Sequence, residues 1–456
     1  MTRNGERRRW HYAFILFLLG LLFISALAHL SPDKVSGQDG RQEFYDLQAR
    51  INQTTDNGTL YLEPGIYHGN VVIDKPLTLV GSGETVIRGD GTGDVLTITA
   101  SGVTVKNVHI ENSSFSRNFE DEFAGIKVLS NDNLVQNVTI KQAFHGVYLR
   151  YADHNRLINI TATGQGFGII GGQGNGIHAL YAHHNEITKS QFTGFCDGIY
   201  LDNADHNVIQ DNLLQENRYG FHTMYASSNK IIGNRFVRNT GGAAIMHSRE
   251  GKIKDNTFIF HQGPRSFALL LQASNQHQVH DNRFYFNQRA LYADHAHEHR
   301  VAANLFAANK LAVELWGSSG YLTFTQNRFV QNVITAVKVG GHPQQVFWGE
   351  AGKGNYWGVP LLDLDQDGVG DIPFQYQSAL SQLVEQSEMF HLFINSPALT
   401  LYEQIQRILE RQEVVLEDPY PLIGRGGSAY AQWWMAAAAL ILSAGWYEYR
   451  SRRRTR

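Results

Sequence analysis

The chain has 456 residues, with 39 Lys or Arg against 42 Asp or Glu, so its formal net charge is −3. This balance excludes a nucleic-acid-binding protein held by a basic surface, since such binding requires an excess of Lys and Arg. The single cysteine, Cys196, excludes an internal disulfide framework and any metal site built from several thiolates. The sequence contains no G-x-x-x-x-G-K-[S/T] motif and therefore no P-loop of its own for ATP.

The first 28 residues have the pattern of a secretory signal peptide. Three consecutive arginines at positions 7, 8 and 9 precede an apolar run from Ala13 to Ala28, which ends in Ala-Leu-Ala. We therefore predict export, with residues 1–28 removed. An uncleaved membrane anchor is the alternative, because the apolar run is only slightly shorter than a membrane span.

Short alternating segments follow in the chain. Residues 61–67, 75–81 and 103–110 resemble the opening coils of β-helix proteins that bind or hydrolyse carbohydrate. Between about Gly102 and Gly341 the sequence then repeats every 22 residues, and one glycine-rich stretch, 164–176, contains an eight-residue insertion. Because apolar and polar residues alternate within each unit, we predict an all-β fold over residues 29–375, a right-handed parallel β-helix (solenoid) with coils of about 22 residues.

Asparagine recurs at one place in successive coils. Its side chain can satisfy the backbone of a turn and tolerates left-handed dihedral angles, so these residues are predicted to stack in a structural ladder. They are Asn212, Asn234, Asn256, Asn282 and Asn304.

The segment after the coils differs in pattern. From Ser378 to Gln412 the apolar spacing is helical, and Ser396-Pro397 divides it into two predicted helices. We predict that residues 376–428 form a C-terminal helical cap and linker, because the end of a solenoid leaves an open sheet edge.

The last part of the chain is predicted to enter a membrane. Residues 429–449 are apolar and rich in alanine, with Trp433, Trp434 and Trp446 near the two ends, and residues 450–456 are mostly arginine. This pattern predicts a C-terminal transmembrane helix with a basic cytoplasmic tail, which would tether a periplasmic protein to the inner membrane. A buried amphipathic helix is the alternative.

These features together resemble the NosD family, exported accessory proteins that mature the copper sites of nitrous oxide reductase in denitrification. The most specific motifs are Gly354-Asn-Tyr-Trp357, the aspartate-rich stretch 363–371 with Ile372-Pro-Phe, and Asn395-Ser-Pro-Ala-Leu399. The resemblance implies a non-enzymatic assembly factor. It also implies transient copper and three partners: an ABC-type ATPase and permease, a copper chaperone lipoprotein, and nitrous oxide reductase.

A Cu(I) site is predicted on the outside of the coils. Counted from the glycine of each coil, the second and fourth residues point outward by strand alternation. The second position holds His178, Tyr200 and His222 in successive coils, and the fourth holds Met224 and then Met246. Thioether and imidazole groups suit Cu(I), so we predict a copper site from Met224, Met246, His222 and His247. A methionine-lined docking surface is the alternative.

Two further groups of histidines stand out. His154, His184 and His206 occupy one position in three coils, and turn formation is the preferred interpretation. His295, His297 and His299 lie with Asp294 and Glu298 within six residues, a density that fits either a metal-binding edge or a polar turn.

Alternate carboxylates around Gly368 suit a hard cation. We predict a structural calcium loop from Asp363, Asp365, Asp367 and Asp371, with a metal-free turn as the alternative.

The competing function is a polysaccharide lyase, epimerase or hydrolase, which are common activities of parallel β-helices. Such chemistry needs paired or calcium-bound carboxylates in one groove. Asp202, Asp205 and Arg249 are the candidates, but no dense carboxylate pair recurs in the outward columns. The assembly factor is therefore the preferred hypothesis.

Overall fold

The computed structural model describes residues 44–115, 122–165, 170–379, 383, 390, 396–409 and 413–424. They form a parallel β-solenoid of the right-handed type with about 13 coils, which confirms the predicted fold class and coil length. The predicted signal peptide (1–28), transmembrane helix (429–449) and basic tail (450–456) lie outside the described residues. Within the ranges given, no helix is long and apolar enough to span a membrane.

Three columns of parallel strands, here called faces A, B and C, run along the solenoid. Face A holds the strands that begin near the glycine of each coil. Its strands are Val71–Ile73, Leu96–Ile98, Ala124–Val128, His145–Arg150, Ile177–Leu180, Asp197–Asp202, Tyr219–Met224, Gly241–Met246, Phe267–Asn275, Arg289–His297, Leu311–Trp316 and Ile334–Val339.

Faces B and C share three long strands that bend from one face into the other, Thr104–Glu111, Leu134–Lys141 and Arg156–Thr163. The other strands of face B are Thr59–Tyr61, Thr78–Val80, Glu186–Thr188, Val208–Gln210, Lys230–Ile232, Lys252–Lys254, Gln278–His280, Arg300–Ala302, Gly320–Thr325 and Gln344–Phe347. Those of face C are Phe44–Tyr45, Gly65–His68, Thr85–Arg88, Gln191–Thr193, Leu213–Gln215, Arg235–Val237, Thr257–Ile259, Arg283–Tyr285, Leu305–Ala307 and Arg328–Val330.

Each coil turns its corners at single residues with left-handed backbone angles. In the coil that starts at Gly198 these are Asn203 (φ 49°), His206 (φ 59°), Asp211 (φ 55°) and Glu216 (φ 56°). The same four positions have positive φ in the next coil, at 225, 228, 233 and 238. Such a conformation costs about 1–2 kcal/mol for most residues. The hydrogen bonds between coils must therefore outweigh this repeated cost.

The predicted asparagine ladder is present and buried. The backbone N–H of Asn212 donates to Oδ1 of Asn234 at 3.0 Å, and its side-chain amide donates to the carbonyl of Ile187 at 2.8 Å. The same contacts continue through Asn256, Asn282 and Asn304. Two further ladders run at other corners, one through 155, 185, 207 and 229 and one through 287, 309 and 332.

The core between the three faces is apolar and stacked. Five phenylalanines of face C lie above one another with ring centroids 4.6–4.9 Å apart and nearly parallel planes. They are Phe236, Phe258, Phe284, Phe306 and Phe329. This spacing equals the separation of hydrogen-bonded strands, so each coil adds one ring to the stack.

The two ends of the core are closed differently. A helix, Leu47–Gln53 (α1), buries Leu47 and Ile51 over the first coils, with Asp46 as its N-cap. At the other end, strands Phe374–Ser378 and Glu413–Asp418 pair antiparallel, and Val415 and Leu416 join the main core.

The predicted C-terminal helical cap is therefore smaller than expected. One helix, Pro397–Ile408 (α2), begins at the predicted Ser396-Pro397 boundary, and most of the other predicted helix lies outside the described residues. Through Leu399 and Tyr402, α2 packs on a cluster that contains Val337 and Val339 of face A. Residues 413–418, predicted to belong to the cap and linker, form a strand because their β-branched and apolar side chains complete the core.

Candidate metal patch on face A

A column of stacked rings lies on the outer side of face A. The strand register places Tyr148, His178, Tyr200 and His222 at one position in four successive coils, as predicted for the last three. The ring centroids of successive members lie 5.1, 4.9 and 4.6 Å apart. The rings point away from the core, yet His178 and His222 are only 8% and 7% exposed. The column is therefore covered by its neighbours, which strand alternation alone did not indicate.

A buried carboxylate orients His222. Nδ1 of His222 lies 2.9 Å from Oδ2 of Asp197, and Arg218 donates two hydrogen bonds to the same carboxylate, at 3.0 and 2.8 Å. Burial alone would raise the pKa of Asp197, but the contacts with His222 and Arg218 outweigh it and lower the pKa. An ionised carboxylate accepts from Nδ1–H, which leaves the lone pair of a neutral ring on Nε2. That atom is buried and has no hydrogen-bond partner among the described residues.

The two predicted methionines lie next to this imidazole. Met224 and Met246 are register partners on adjacent strands, and both are half-buried. His222 is two residues before Met224 on the same strand, so both side chains leave the same side of the sheet. Met246 also packs against an apolar cluster of Ala244, Phe267 and Leu270. We call His222, Met224 and Met246 the thioether patch.

The fourth predicted ligand, His247, lies at the adjoining corner. It follows Met246 directly, has a left-handed φ of 50° and is exposed. Its ring stacks on Tyr225 with centroids 4.8 Å apart. His247 is therefore on the rim of the patch rather than within it.

The structure separates the environments of His295, His297 and His299. His295 is exposed at a corner, with Nδ1 2.7 Å from the carboxylate of Asp294, and His297 is half-buried. His299 is 1% exposed, and its Nδ1 accepts the backbone N–H of His277 at 2.9 Å. His299 thus belongs to a corner ladder, and metal binding by the three rings stays a prediction.

The column of His154, His184 and His206 is a surface stack. Its ring centroids lie 5.0 and 4.9 Å apart with planes within 6° of parallel. The backbone N–H groups, not the imidazoles, make the hydrogen bonds of the turn. The rings stabilise the corner by stacking on one another.

The aspartate-rich loop gathers three of its four predicted ligands. Carboxylate oxygens of Asp363, Asp365 and Asp367 lie within 4.8 Å of one another. Asp371 instead accepts the backbone N–H of Leu364 at 2.8 Å. Calcium binding at this loop stays a prediction.

The acidic residues that were candidates for sugar chemistry accept hydrogen bonds within the turns. Asp205 accepts the backbone N–H of Ser227 at 2.6 Å, and Asp202 accepts the side-chain amide of Asn203 at 2.8 Å. The backbone N–H of Arg249 donates to Ser227 Oγ at 3.3 Å. These contacts do not favour a sugar-cleaving pair over the thioether patch.

The fold and the patch define a class: a repetitive β-scaffold whose outer surface presents soft ligands. The model of a family described as "Periplasmic copper-binding protein (NosD)" matches residues 161–361. A curated protein from Pseudomonas aeruginosa, described as "Probable ABC transporter binding protein NosD", is 28% identical over 369 residues, which cover 77% of this chain and 84% of the relative. The chain is therefore similar in sequence to NosD proteins. The family description supports a periplasmic location.

Solved structures share only the coiled architecture. Pre-mature gene product 12 of bacteriophage phi29 is similar with a TM-score of 0.53 and 11% identity, over 73% of this chain and 54% of that one. The A-module of a mannuronan C-5 epimerase from Azotobacter vinelandii has a TM-score of 0.45 and 12% identity, over 69% of this chain and 95% of that one. At such identities the likeness concerns the fold alone.

Proposed function

We propose that this protein is a non-enzymatic periplasmic assembly factor that handles copper during maturation of nitrous oxide reductase. The observation that carries the proposal is the thioether patch, where a carboxylate-oriented imidazole lies beside two aligned methionines. The family description as copper-binding supports the proposal, as do relatives named as ABC transporter binding proteins.

Copper is the cargo in this account, and the patch supplies its ligands. Nε2 of His222 and the sulfurs of Met224 and Met246 form a soft set that suits Cu(I). The hydrogen bond from Nδ1 to Asp197 fixes the ring orientation and leaves Nε2 to face the metal, as carboxylates behind metal-binding histidines do. His247 at the rim is placed to take part when copper enters or leaves. A half-buried site suits transfer, because an incoming ligand can reach the ion.

The C-terminal helix α2 supplies the docking surface for an ABC-type permease. One side of α2 packs on face A through Leu399 and Tyr402. The other side exposes Leu401, Ile405 and Ile408 at 61%, 44% and 79%, spaced four and three residues apart. This spacing forms an apolar stripe on a helix, the pattern by which helices recognise partner grooves. A copper chaperone lipoprotein would deliver copper to face A, and nitrous oxide reductase would receive it there.

An anaerobic Cu(I) titration against a calibrated chelator tests copper handling. We expect the wild-type chain to compete for Cu(I) and the Met224→Leu/Met246→Leu variant to bind at least tenfold more weakly. Leucine keeps the apolar volume, so the fold should be retained. His206→Ala, in the surface stack, is the matched control and should bind as the wild type does. Equal affinity of wild type and double variant would contradict the proposed site.

Co-purification with the ABC permease tests the docking surface. Leu401→Glu/Ile405→Glu should abolish the association, because charges cannot enter an apolar groove without a large desolvation cost. Leu364→Glu is the control, since Leu364 is 74% exposed and lies outside α2. Retained association in the α2 variant would assign docking to another surface.

A further inference from the structure

The outer side of face C carries a row of arginines. The first residue of each face C strand points away from the core, because the second is a core phenylalanine. In five successive coils this first position holds Arg235, Thr257, Arg283, Leu305 and Arg328. All three arginines are exposed. Arginine thus occupies every second coil, and neighbouring arginines are ~10 Å apart, since each coil adds ~4.8 Å.

An apolar row runs beside the arginines. The third residue of each strand points to the same side of the sheet. In the same five coils this position holds Val237, Ile259, Tyr285, Ala307 and Val330. The adjoining corner adds Phe260 and Phe286, which are half-buried and stack with ring centroids 5.2 Å apart. We call the arginine row, the apolar row and these two phenylalanines the face C strip.

The charge of the arginine row is directed at solvent. Within the part of the chain that the structure describes, neither Arg235 nor Arg283 forms an ion pair, whereas the acidic residues of the preceding corner have other partners. Asp255 lies 3.7 Å from Nζ of Lys254, and Asp281 lies 2.9 Å from Nδ1 of His280. Since this acidic corner lies on the far side of the arginines from the apolar row, an anionic partner is repelled there and attracted toward the strip.

We propose that the face C strip binds an amphipathic helix of a partner protein, with acidic residues seven positions apart along one edge of its apolar face. Residues seven apart on a helix are about 10.5 Å apart along its axis, which matches the arginine spacing. Side chains on one side of an extended strand repeat every ~6.7 Å, which does not match. The inference goes beyond the proposed function and does not depend on it.

The two rows have different parts in this binding. From Arg235 to Arg328 the row spans four coil steps, ~19 Å, so three acidic residues over about two heptads can meet the three arginines. These ion pairs set the register and orientation of the helix. The apolar row and the stacked phenylalanines bury the apolar face of the helix, which is the usual way in which an amphipathic helix is recognised.

The test is binding of a synthetic helical peptide to the full chain, measured by fluorescence anisotropy. The peptide has about 20 residues, with three Glu seven positions apart beside a leucine face. We expect the wild type to bind it and Arg235→Thr/Arg283→Thr to bind roughly tenfold or more weakly. Thr257 occupies the same column position between the two arginines, so the double variant should keep the fold.

Matched controls separate the strip from general charge effects. Lys230→Thr/Lys252→Thr removes two exposed positive charges from face B and should bind the peptide as the wild type does. Tyr285→Thr should bind about fivefold more weakly, because it removes an aromatic contact from the apolar row. Threonine occurs at this column position as Thr193, so the fold should be retained.

A second peptide, with Gln in place of the three Glu, should bind roughly tenfold or more weakly than the first. Equal affinity for the two peptides, or equal affinity of the wild type and Arg235→Thr/Arg283→Thr, would overturn the inference, as would absence of binding to the wild type. Polygalacturonate that displaced the peptide and lost affinity in the arginine variant would assign the row to an acidic polysaccharide and overturn it too. Met224→Leu/Met246→Leu should bind the peptide normally, so failure of the thioether patch would leave this result intact.

Discussion

Three histidines replace asparagine in the corner ladders, and each one uses Nδ1 where asparagine uses its side-chain oxygen. Nδ1 of His261, His277 and His299 accepts the backbone N–H of Asn239, Gly251 and His277, respectively, at 3.2, 2.8 and 2.9 Å. An imidazolium could not accept these bonds. Burial lowers the pKa of His261 and of His277 to about 4, and it holds the pKa of His299 well below its ordinary value.

These residues predict loss of stability in mild acid. The unfolded chain takes up protons on histidine below its usual pKa of about 6.5, whereas folded His261 and His277 stay neutral down to about 4. These two rings therefore do not change the free energy of unfolding above about pH 6.5, and they lower it as the pH decreases from about 6.5 to about 4. At about pH 4, each of the two rings accounts for a loss of up to roughly 3 kcal/mol in the free energy of unfolding.

His277→Asn tests this account, because asparagine fills the same ladder position without titrating. Between pH 7.5 and 5, the free energy of unfolding should fall less in the variant than in the wild type when both are measured by urea denaturation. His184→Asn changes an exposed ring and should leave the pH dependence as it is. If the free energy of unfolding changed with pH equally in His277→Asn and in the wild type, His277 would not be a source of the acid sensitivity.

At the residue scale, the sequence could predict which side chains align on successive coils. It could not predict how deeply they are buried or which residues from other coils they contact. The spacing of 22 residues placed His178 and His222 in one outward column, and the structure confirms it. Asp197 was missed because it meets His222 from the preceding coil, 25 residues earlier in the chain. A signal was available, since the residue just before the coil glycine is His145, Asn175 and then Asp197, polar and buried in three successive coils.

At the scale of the element, the asparagine ladder joins one coil to the next. The side-chain amide of Asn256 donates to the carbonyl of Ile231 at 2.8 Å and to Oδ1 of Asn282 at 3.0 Å. Its own Oδ1 accepts the backbone N–H of Asn234 at 2.9 Å. The ladder therefore gives hydrogen-bond partners to the backbone carbonyl of Ile231 and the backbone N–H of Asn234.

Asn256→Ala should lower the free energy of unfolding by about 3 kcal/mol, because it leaves a buried N–H and a buried carbonyl unpaired. Thermal and urea unfolding would measure the loss. Lys252→Ala removes an exposed side chain from the same coil and should change stability little. A loss no larger than that of the control would mean that the ladder is not a main source of stability.

Strands and ladders could be predicted from the sequence because every coil repeats the same local pattern. The C-terminal end could not, because it occurs once and its structure depends on contacts with residues far away in the chain. Asp418, for example, accepts hydrogen bonds from the backbone of Asn355 and from the indole of Trp357, at 2.6 and 2.9 Å. The helix at 397–408 could be predicted because its apolar spacing is local. The strand at 413–418 could not, because it forms by packing on a core made by distant residues.

At the scale of the whole molecule, face A concentrates the chemistry of the described residues. Its outer side carries the ring column from Tyr148 to His222, and the thioether patch lies where this column ends. An apolar cluster follows, and α2 covers the last strands. The rigid coils fix the spacing of these features, which suits a scaffold that presents cargo to partners along one surface.

Copper K-edge X-ray absorption would show whether Cu(I) binds this chain through sulfur on face A. The full chain would be loaded with one equivalent of Cu(I) without oxygen, alongside Met224→Leu/Met246→Leu. We predict sulfur neighbours together with a histidine nitrogen in the wild type, and loss of the sulfur signal in the double variant. A wild-type spectrum with nitrogen and oxygen neighbours alone, or a sulfur signal that survives in the double variant, would contradict the account.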